Sequence, residues 1–499
     1  MIALTIFSAL VLLAFLLNYL HRMKNARFYQ LLEQFPSYPT YPIIGNLHLL
    51  CGWADNTLPK TMKLIKPYNR VVFWIGPVPT IVLKKYDDIM TILNQCNDRD
   101  TLGFHTHWCD KGVLTGRYED WKRSKKVILP AFTSGMFPKY VNVFNEKASR
   151  FVDMFKSAAD SGEIIDVWQN VERTNADIAT ENIMNVHITS TGKKGVQFVE
   201  GNFEFMHDVY KRTVSPWLHP NFVYSIYLKI TGKSKFINYF KDLPADELKK
   251  KLAYLRRTES GFDEIESSKA VIDLLLKQSL QDDTYSETRI RDELAQISGA
   301  GVAVPTLTTS YLLVLFAINQ DVQQKAYEEI TQLLGENDTL TTDQLTNELK
   351  YLEQCIKETI RVYTSATITG RRTHKECALP DNTIIPADTM VVLHLYAVHY
   401  DEDLYDNPNT WDPQHFSNEA EAKRPQGSSL LFGYGPRYCP ASKYAMMTVK
   451  TQVAYILRKY HLSTNIKGFP EDKFRTDLIM RSEIGYPVRF TSRRNADLK

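Results

Sequence analysis

The chain has 499 residues, 44% hydrophobic and 12% aromatic, with 60 Lys and Arg against 57 Asp and Glu. That is ample apolar material for a large core, and a net charge of +3 gives no overall case for a nucleic-acid partner. Six scattered cysteines form no Cys-x-x-Cys pair, which leaves no zinc or dithiol motif and suits a reducing compartment.

No Pro/Gly/Ser-rich linker, internal repeat or low-complexity tract divides the chain into the two to four domains its length would suggest. Ile2 to Leu20 is apolar apart from Thr5, Ser8 and Asn18, long enough to cross a bilayer as a helix. His21, Arg22, Lys24 and Arg27 follow, which places that flank on the cytosolic side. A cleaved signal peptide is the rival reading, but no charged segment precedes the apolar run and no Ala-x-Ala site closes it. Pro36, Pro39 and Pro42 then stiffen a semi-rigid bridge up to Asn46. Val71 to Leu83, rich in β-branched and aromatic residues around a central turn, predicts a hairpin, with a helix near Asp87–Gln95. His105 and His107, two apart on an irregular stretch, make a poor tetrahedral metal site and read as part of a cavity-lining loop.

Trp121 to Lys126 opens a helix before Pro130, and Trp121 and Lys125 project from one face of it. Lys122, Arg123 and Lys126 remain as cations for an acidic partner. Helices are expected over Tyr140–Ala158 and Val171–Val186. Pro216 to Leu228 is strongly apolar and aromatic, and either dips into a membrane surface or packs in the core. Ile290 to Ile330 reads as a long helix pair stopping at Gly335. Its first member carries Ala300-Gly301-Val302-Ala303-Val304-Pro305, without one polar side chain, and Pro305 removes a helical N–H. Leu345 to Tyr363 is a helix with Glu358 and Arg361 on one face, a pairing that is usually solvated and weak. Strands are expected at Ile368–Arg372, at Ala387–Leu393 and within Leu462–Phe490.

The chain is organised around Phe432-Gly433-Tyr434-Gly435-Pro436-Arg437-Tyr438-Cys439-Pro440-Ala441. Gly433 and Gly435 permit a tight curl, and a helix from Ser442 through Leu457 points its first N–H groups at Cys439. That positive end, with Arg437 nearby, is expected to lower the thiol pKa. A lone thiolate so placed suits the axial site of a haem iron. The order Phe-x-x-Gly-x-Arg-x-Cys-x-Ala resembles the haem-binding signature of the cytochrome P450 family, with Ala441 where glycine is commoner. In that resemblance Cys439 ligates iron, Arg437 meets a haem propionate and Phe432 packs beneath the thiolate.

Other motifs fall in the family's order along nearly the whole chain. Trp121 and Lys125 are similar to its Trp-x-x-x-Arg propionate clamp, with lysine keeping the charge and losing the bidentate fork. Arg371 matches a propionate-binding position, with Arg372 as its rival. Glu358 and Arg361 resemble the Glu-x-x-Arg motif, whose third member, an arginine in the family, is His415 here. The central helix departs from the pattern. Where the family carries an acid and an alcohol that guide protons during dioxygen activation, this chain has Ala303 and Val304, which relay none. A register slip bringing Thr306, Thr308 or Thr309 into that place stays open. Ala300 stands where fatty-acid-hydroxylating relatives often carry a haem-esterifying glutamate, which implies non-covalent haem.

The resemblance implies a mainly α (α+β) cytochrome P450 fold, a helical body with a small β-lobe. It divides the chain into a transmembrane anchor (1–21), a basic flank and proline-rich hinge (22–46), and a haem-thiolate catalytic domain (47–499) on the cytosolic face of the endoplasmic reticulum membrane, as in microsomal members. Gly76-Pro77-Val78-Pro79 and Ser442-Lys443-Tyr444-Ala445-Met446-Met447 look most like insect members of the group that includes fatty-acid omega-hydroxylases. The implied activity is monooxygenation of a lipophilic fatty acid, hormone or xenobiotic. Electrons would come from NADPH–cytochrome P450 reductase, with cytochrome b5 as a second candidate donor. Two alternatives follow from Ala303 and Val304: an O₂-independent isomerase or dehydratase of lipid hydroperoxides, and a haem-binding protein with weak turnover.

Overall fold

The computed structural model describes residues 16 to 493 except 17–18, 42–43, 51–61, 100–103, 110–111, 187–191, 259–264, 266, 336–338, 471–472 and 477. Most of the apolar stretch expected to span a membrane lies outside the described residues.

The expected hairpin pairs Arg70–Ile75 with Val78–Leu83, antiparallel from Arg70↔Leu83 to Ile75↔Val78, and Gly76 supplies the turn at φ +61°. Val78–Leu83 runs parallel to Met390–Leu393, which pairs antiparallel with Thr369–Arg372. Ile81, Leu83, Val391 and Leu393 of this sheet share one core with Ile89, Ile92 and Leu93 of the helix Tyr86–Gln95. The proline-rich segment lies down on the same lobe. Val72 N–H donates to the Pro36 carbonyl at 2.8 Å, and a Cβ on Gly45 would stand 2.3 Å from the Trp74 carbonyl oxygen. Ahead of it, the helix Ala26–Leu32 stacks Tyr29 on Trp74 and pairs Arg27 with Glu376.

The body is helical. Its central helix, Glu287–Ile318, starts at Ser286, whose hydroxyl accepts from the Arg289 N–H, and runs through Pro305. By length and composition it is apolar enough to cross a membrane, but 83% of its most apolar window is buried inside the protein. It packs against the helices Trp168–Met184 and Ser442–Lys459 as the core element. Asn319 separates it from Gln320–Leu334, which closes on Gly335 at φ +54°. The helix expected over Tyr140–Ala158 is two, Phe137–Asp153 and Lys156–Ser161, the first with Pro138 in its opening turn. The one expected from Leu345 begins later, at Lys350, where the Glu329 carboxylate accepts from the Tyr351 and Leu352 N–H groups. The C-terminal stretch forms the strands Tyr460–Ser463, Phe474–Thr476, Met480–Ser482 and Pro487–Ser492.

Pro216 to Leu228 divides between both readings. It forms a turn, Pro216–Leu218, and a helix, Asn221–Ile230. Tyr224 and Leu228 are buried, while Phe222, Ile226 and Ile230, four residues apart, are 70%, 53% and 80% exposed.

Glu358 and Arg361 are not the solvated pair expected of their spacing. Both side chains are 0% exposed, because the helix Lys350–Val362 turns them inward beneath the segment 399–415. All five Arg361 N–H groups find acceptors: two on Glu358, and one each on the carbonyls of His399, Pro408 and Thr410. His415 takes the third place, with Nδ1 3.0 Å from Glu358 Oε1 and Nε2 2.6 Å from the Asp406 carbonyl. Both partners are acceptors, so both bonds form only in the imidazolium. Burial opposes that charge, but the hydrogen bond and charge of Glu358 outweigh it and raise the His415 pKa. Because the folded value is raised, the stabilisation is complete below the ordinary value of 6.5 and disappears as pH climbs through the folded value. The thermal midpoint is therefore predicted to fall as pH rises from 6.5, and His415→Arg to flatten that profile. Glu358→Ala, which leaves Arg361 buried and unpaired, is predicted to cost about 3–5 kcal/mol in denaturant unfolding.

Candidate functional site

The cysteine loop folds back on itself. Gly433 and Gly435 sit at φ +78° and +70°, and a Cβ on Gly435 would press 3.1 Å from the Leu93 carbonyl. Cys439 N–H donates to the Phe432 carbonyl at 3.0 Å, and Tyr438 N–H to that of Gly435 at 3.0 Å. The helix Ser442–Lys459 begins three residues after Cys439. The Phe432 ring is half-buried against the main core.

Arg437 points away from the sulfur, contrary to the expectation that it lowers the thiol pKa. Its Nε donates to the Asn97 carbonyl at 2.9 Å and its Nη2 to that of Gly116 at 3.2 Å. Burial pushes the Cys439 thiol up, while the Ala441 N–H and the charge of Arg99 pull it down. A metal cation bound at this sulfur would deprotonate it outright.

Around this loop lies a cluster of cations. Arg371 and Arg437 are 2% and 5% exposed, and Arg99, half-buried with its Nε covered, lies beside them. Burial, and then the charges of Arg99 and Arg371, bring Arg437 down to about 9. Burial and Arg99 do the same to Arg371, also to about 9. Arg99 Nε, Arg371 Nε and Arg437 Nη1 are buried with no hydrogen-bond partner, and no carboxylate among the described residues lies within ion-pair distance of the three guanidiniums. Trp121 lies under Arg437, whose Cζ is 4.2 Å from the ring centroid. Lys125 Nζ donates to the Pro436 carbonyl at 2.6 Å. The Trp121 and Lys125 side chains, Arg437 and Arg371 are thus drawn to one place. Arg372, the rival of Arg371, is instead one-third exposed, 4.0 Å from Asp388. Arg99 was not foreseen: no spacing motif marks it in Cys96-Asn97-Asp98-Arg99.

Three guanidiniums with orphaned nitrogens require an anion with several oxygens. A haem, with two propionates at one edge and an iron for the cysteine, fits that donor set.

On the central helix Val302 and Ala303 are 0% exposed and Pro305 is buried, whereas Ala300, Gly301 and Val304 keep partial exposure. Ala300 and Val304, four apart, form one apolar strip. Thr306 donates to the Val302 carbonyl at 2.6 Å and accepts from Asn175, and Thr309 donates to Gln452 at 3.2 Å. Those two hydroxyls are engaged elsewhere. Thr308 continues the strip one turn beyond Val304 and is 4% exposed.

His105 and His107 gather no metal-binding group among the described residues. The loop instead fastens the helix Asn221–Ile230, through His107 Nε2 on Ser225 at 3.0 Å and Trp108 Nε1 on the Tyr224 hydroxyl at 3.0 Å.

A helical body closing on a cysteine loop ringed by arginines defines a haem-thiolate protein. The Cytochrome P450 family model matches residues 36–490, and the chain belongs to that family, whose members bind haem through a cysteine thiolate and act as monooxygenases. It is 23% identical to cytochrome P450 4g15 of Drosophila melanogaster, over 98% of this chain and 97% of the relative. It is 25% identical to Drosophila cytochrome P450 4c3, with 98% and 94% covered, and 25% identical to mouse cytochrome P450 4V2, with 95% and 92% covered.

Arg99→Met keeps the aliphatic stem and removes the charge. It is predicted to weaken haem affinity by about 10–100-fold in titrations of the apoprotein with haem. The thermal midpoint of the haem-free protein is predicted not to fall, because one of three repelling cations has gone.

Proposed function

We propose that this protein is a membrane-anchored monooxygenase of the endoplasmic reticulum that hydroxylates a lipophilic, fatty-acid-like compound. Electrons come from NADPH–cytochrome P450 reductase, with cytochrome b5 as a second donor. The observation that carries the reading is the buried cluster of Arg99, Arg371 and Arg437 beside the Cys439 loop. Cys439 holds the iron, Phe432 packs beneath the thiolate, and Arg99, Arg371, Arg437, Trp121 and Lys125 hold the propionates. When bound, the haem-thiolate supplies electron-rich iron chemistry that favours O–O cleavage. The apolar first residues, the exposed cations Lys122, Arg123 and Lys126, and the resemblance to insect members of the fatty-acid omega-hydroxylase group support the anchor, the donor surface and the substrate class.

The chain's own residues set how protons arrive. Ala300 and Val304 line the strip, Ala303 is buried behind it, and none of the three carries an exchangeable proton. Pro305 has no N–H, so the Gly301 carbonyl loses its partner one turn on and is left to accept from solvent or substrate. Ala300 offers no carboxylate for an ester, so the haem is held non-covalently. Proton delivery then rests on ordered water, a slower route that releases peroxide. A missing positioned proton donor lowers rate typically by about 10²–10⁴-fold.

The same apolar strip favours a second reading, rearrangement of a lipid hydroperoxide that already contains the O–O bond. The two separate on one preparation. The first predicts NADPH- and substrate-dependent O₂ uptake with hydroxylated product. The second predicts hydroperoxide turnover without NADPH. Ala303→Asp with Val304→Thr is predicted to raise product formed per NADPH and lower peroxide release; unchanged leakage contradicts this account of the helix.

The exposed face Phe222–Ile226–Ile230 gives the body its own contact with lipid. Protein lacking residues 1–21 is predicted to sediment with phospholipid vesicles, and Phe222→Asp with Ile226→Asp to release it.

A further inference from the structure

Cys96 and Cys377 lie 281 residues apart in the chain, yet their sulfurs stand 3.5 Å from each other. Cys96 ends the helix Tyr86–Gln95, and Cys377 lies on the short strand Cys377–Ala378. Both are buried, at 6% and 1% exposure, in the core of the β-lobe. The hydrogen bond between them favours thiolate on Cys377 while keeping the proton on Cys96; burial opposes that charge, and the nearby Lys375 supports it, leaving the Cys377 pKa lowered. Nothing in the haem reading uses this pair.

We propose that Cys96 and Cys377 are a redox-active dithiol that hydrogen peroxide closes to a disulfide. The Cys377 thiolate attacks one peroxide oxygen, the O–O bond breaks, and water leaves after taking up a proton. The resulting sulfenic acid is attacked by the Cys96 sulfur, an S–S bond forms, and a second water leaves with the Cys96 proton. Overall two thiols lose two electrons and two protons, and one peroxide becomes two waters. The sulfurs need to approach by about 1.5 Å to bond.

Closure acts on the cation cluster because Cys96 adjoins it. The next residue, Asn97, accepts from Arg437 Nε at 2.9 Å, and Asp98 accepts from the Arg372 N–H at 3.0 Å. Arg371 lies close enough to Cys96 for its charge to act on the thiol. Drawing Cys96 toward Cys377 moves the segment that carries Asn97 and Arg99, so oxidation loosens the grip on the propionates.

The test treats full-length holoprotein with hydrogen peroxide, and in parallel with diamide, which oxidises thiols without acting on haem. Non-reducing peptide mapping is expected to show the Cys96 peptide joined to the Cys377 peptide, two hydrogens lighter and separated by dithiothreitol. Cys96→Ser and Cys377→Ser each remove that link. Haem transfer to apomyoglobin is expected to quicken several-fold in diamide-treated protein and not in treated Cys377→Ser. Sulfinic acid on both residues, links from either to Cys109, Cys355 or Cys439, or no link at all overturns the proposal. A link formed with haem transfer unchanged overturns its connection to the arginines.

Discussion

Like charges buried together are among the least favourable arrangements in a protein interior, and this protein places three guanidiniums side by side. Arg99, Arg371 and Arg437 come from the segment after the helix Tyr86–Gln95, from the strand Thr369–Arg372 and from the cysteine loop. Those pieces are far apart in sequence, and the fold brings them together beside the Cys439 loop. Burial depresses the pKa of all three, and repulsion from neighbouring guanidiniums adds to it at Arg371 and Arg437; an anion of matching size reverses the sign of that energy. A bound haem would do so with its propionates, and its iron would find a ligand in the sulfur whose pKa burial raises. The two halves of the site are therefore incomplete in complementary ways, one lacking anion and the other lacking cation.

The rest of the body serves that edge. The fully satisfied Arg361 and its partner Glu358 fix the helix Lys350–Val362 against the segment that leads into the cysteine loop. His415 introduces a titrating group into a place where the family has permanent charge. The central helix contributes shape and dryness: Ala303 and Val304 carry no exchangeable proton, and the Thr306 and Thr309 hydroxyls are engaged elsewhere.

The family, the order of its motifs and most helices were legible in the sequence, because the Cys439 loop has a dense pattern and the helices have clear apolar periodicity. Ends were less legible where side chains from elsewhere decide them. Glu329, twenty-one residues upstream, sets the start of Lys350–Val362, and Pro138 lets Phe137–Asp153 begin early. The sealing of Glu358 and Arg361 was invisible because spacing reports a helix face and says nothing about what covers it. Arg99 and the meeting of Cys96 with Cys377 are tertiary facts with no local pattern. The direction in which Arg437 points was misread for the same reason: sequence proximity to the sulfur is not proximity of charge. Pro216 to Leu228 was ambiguous in sequence because its helix is apolar on two faces, one covered and one bare.

The most direct test is the carbon monoxide difference spectrum of the reduced protein, taken on wild type and on Cys439→Ser with haem content measured in both. Wild type should show the long-wavelength band of cysteinate-bound haem, and the serine variant should lose that band even where haem remains associated through the arginines. Absence of the band in wild type loaded with haem, or its persistence in Cys439→Ser, would contradict the account.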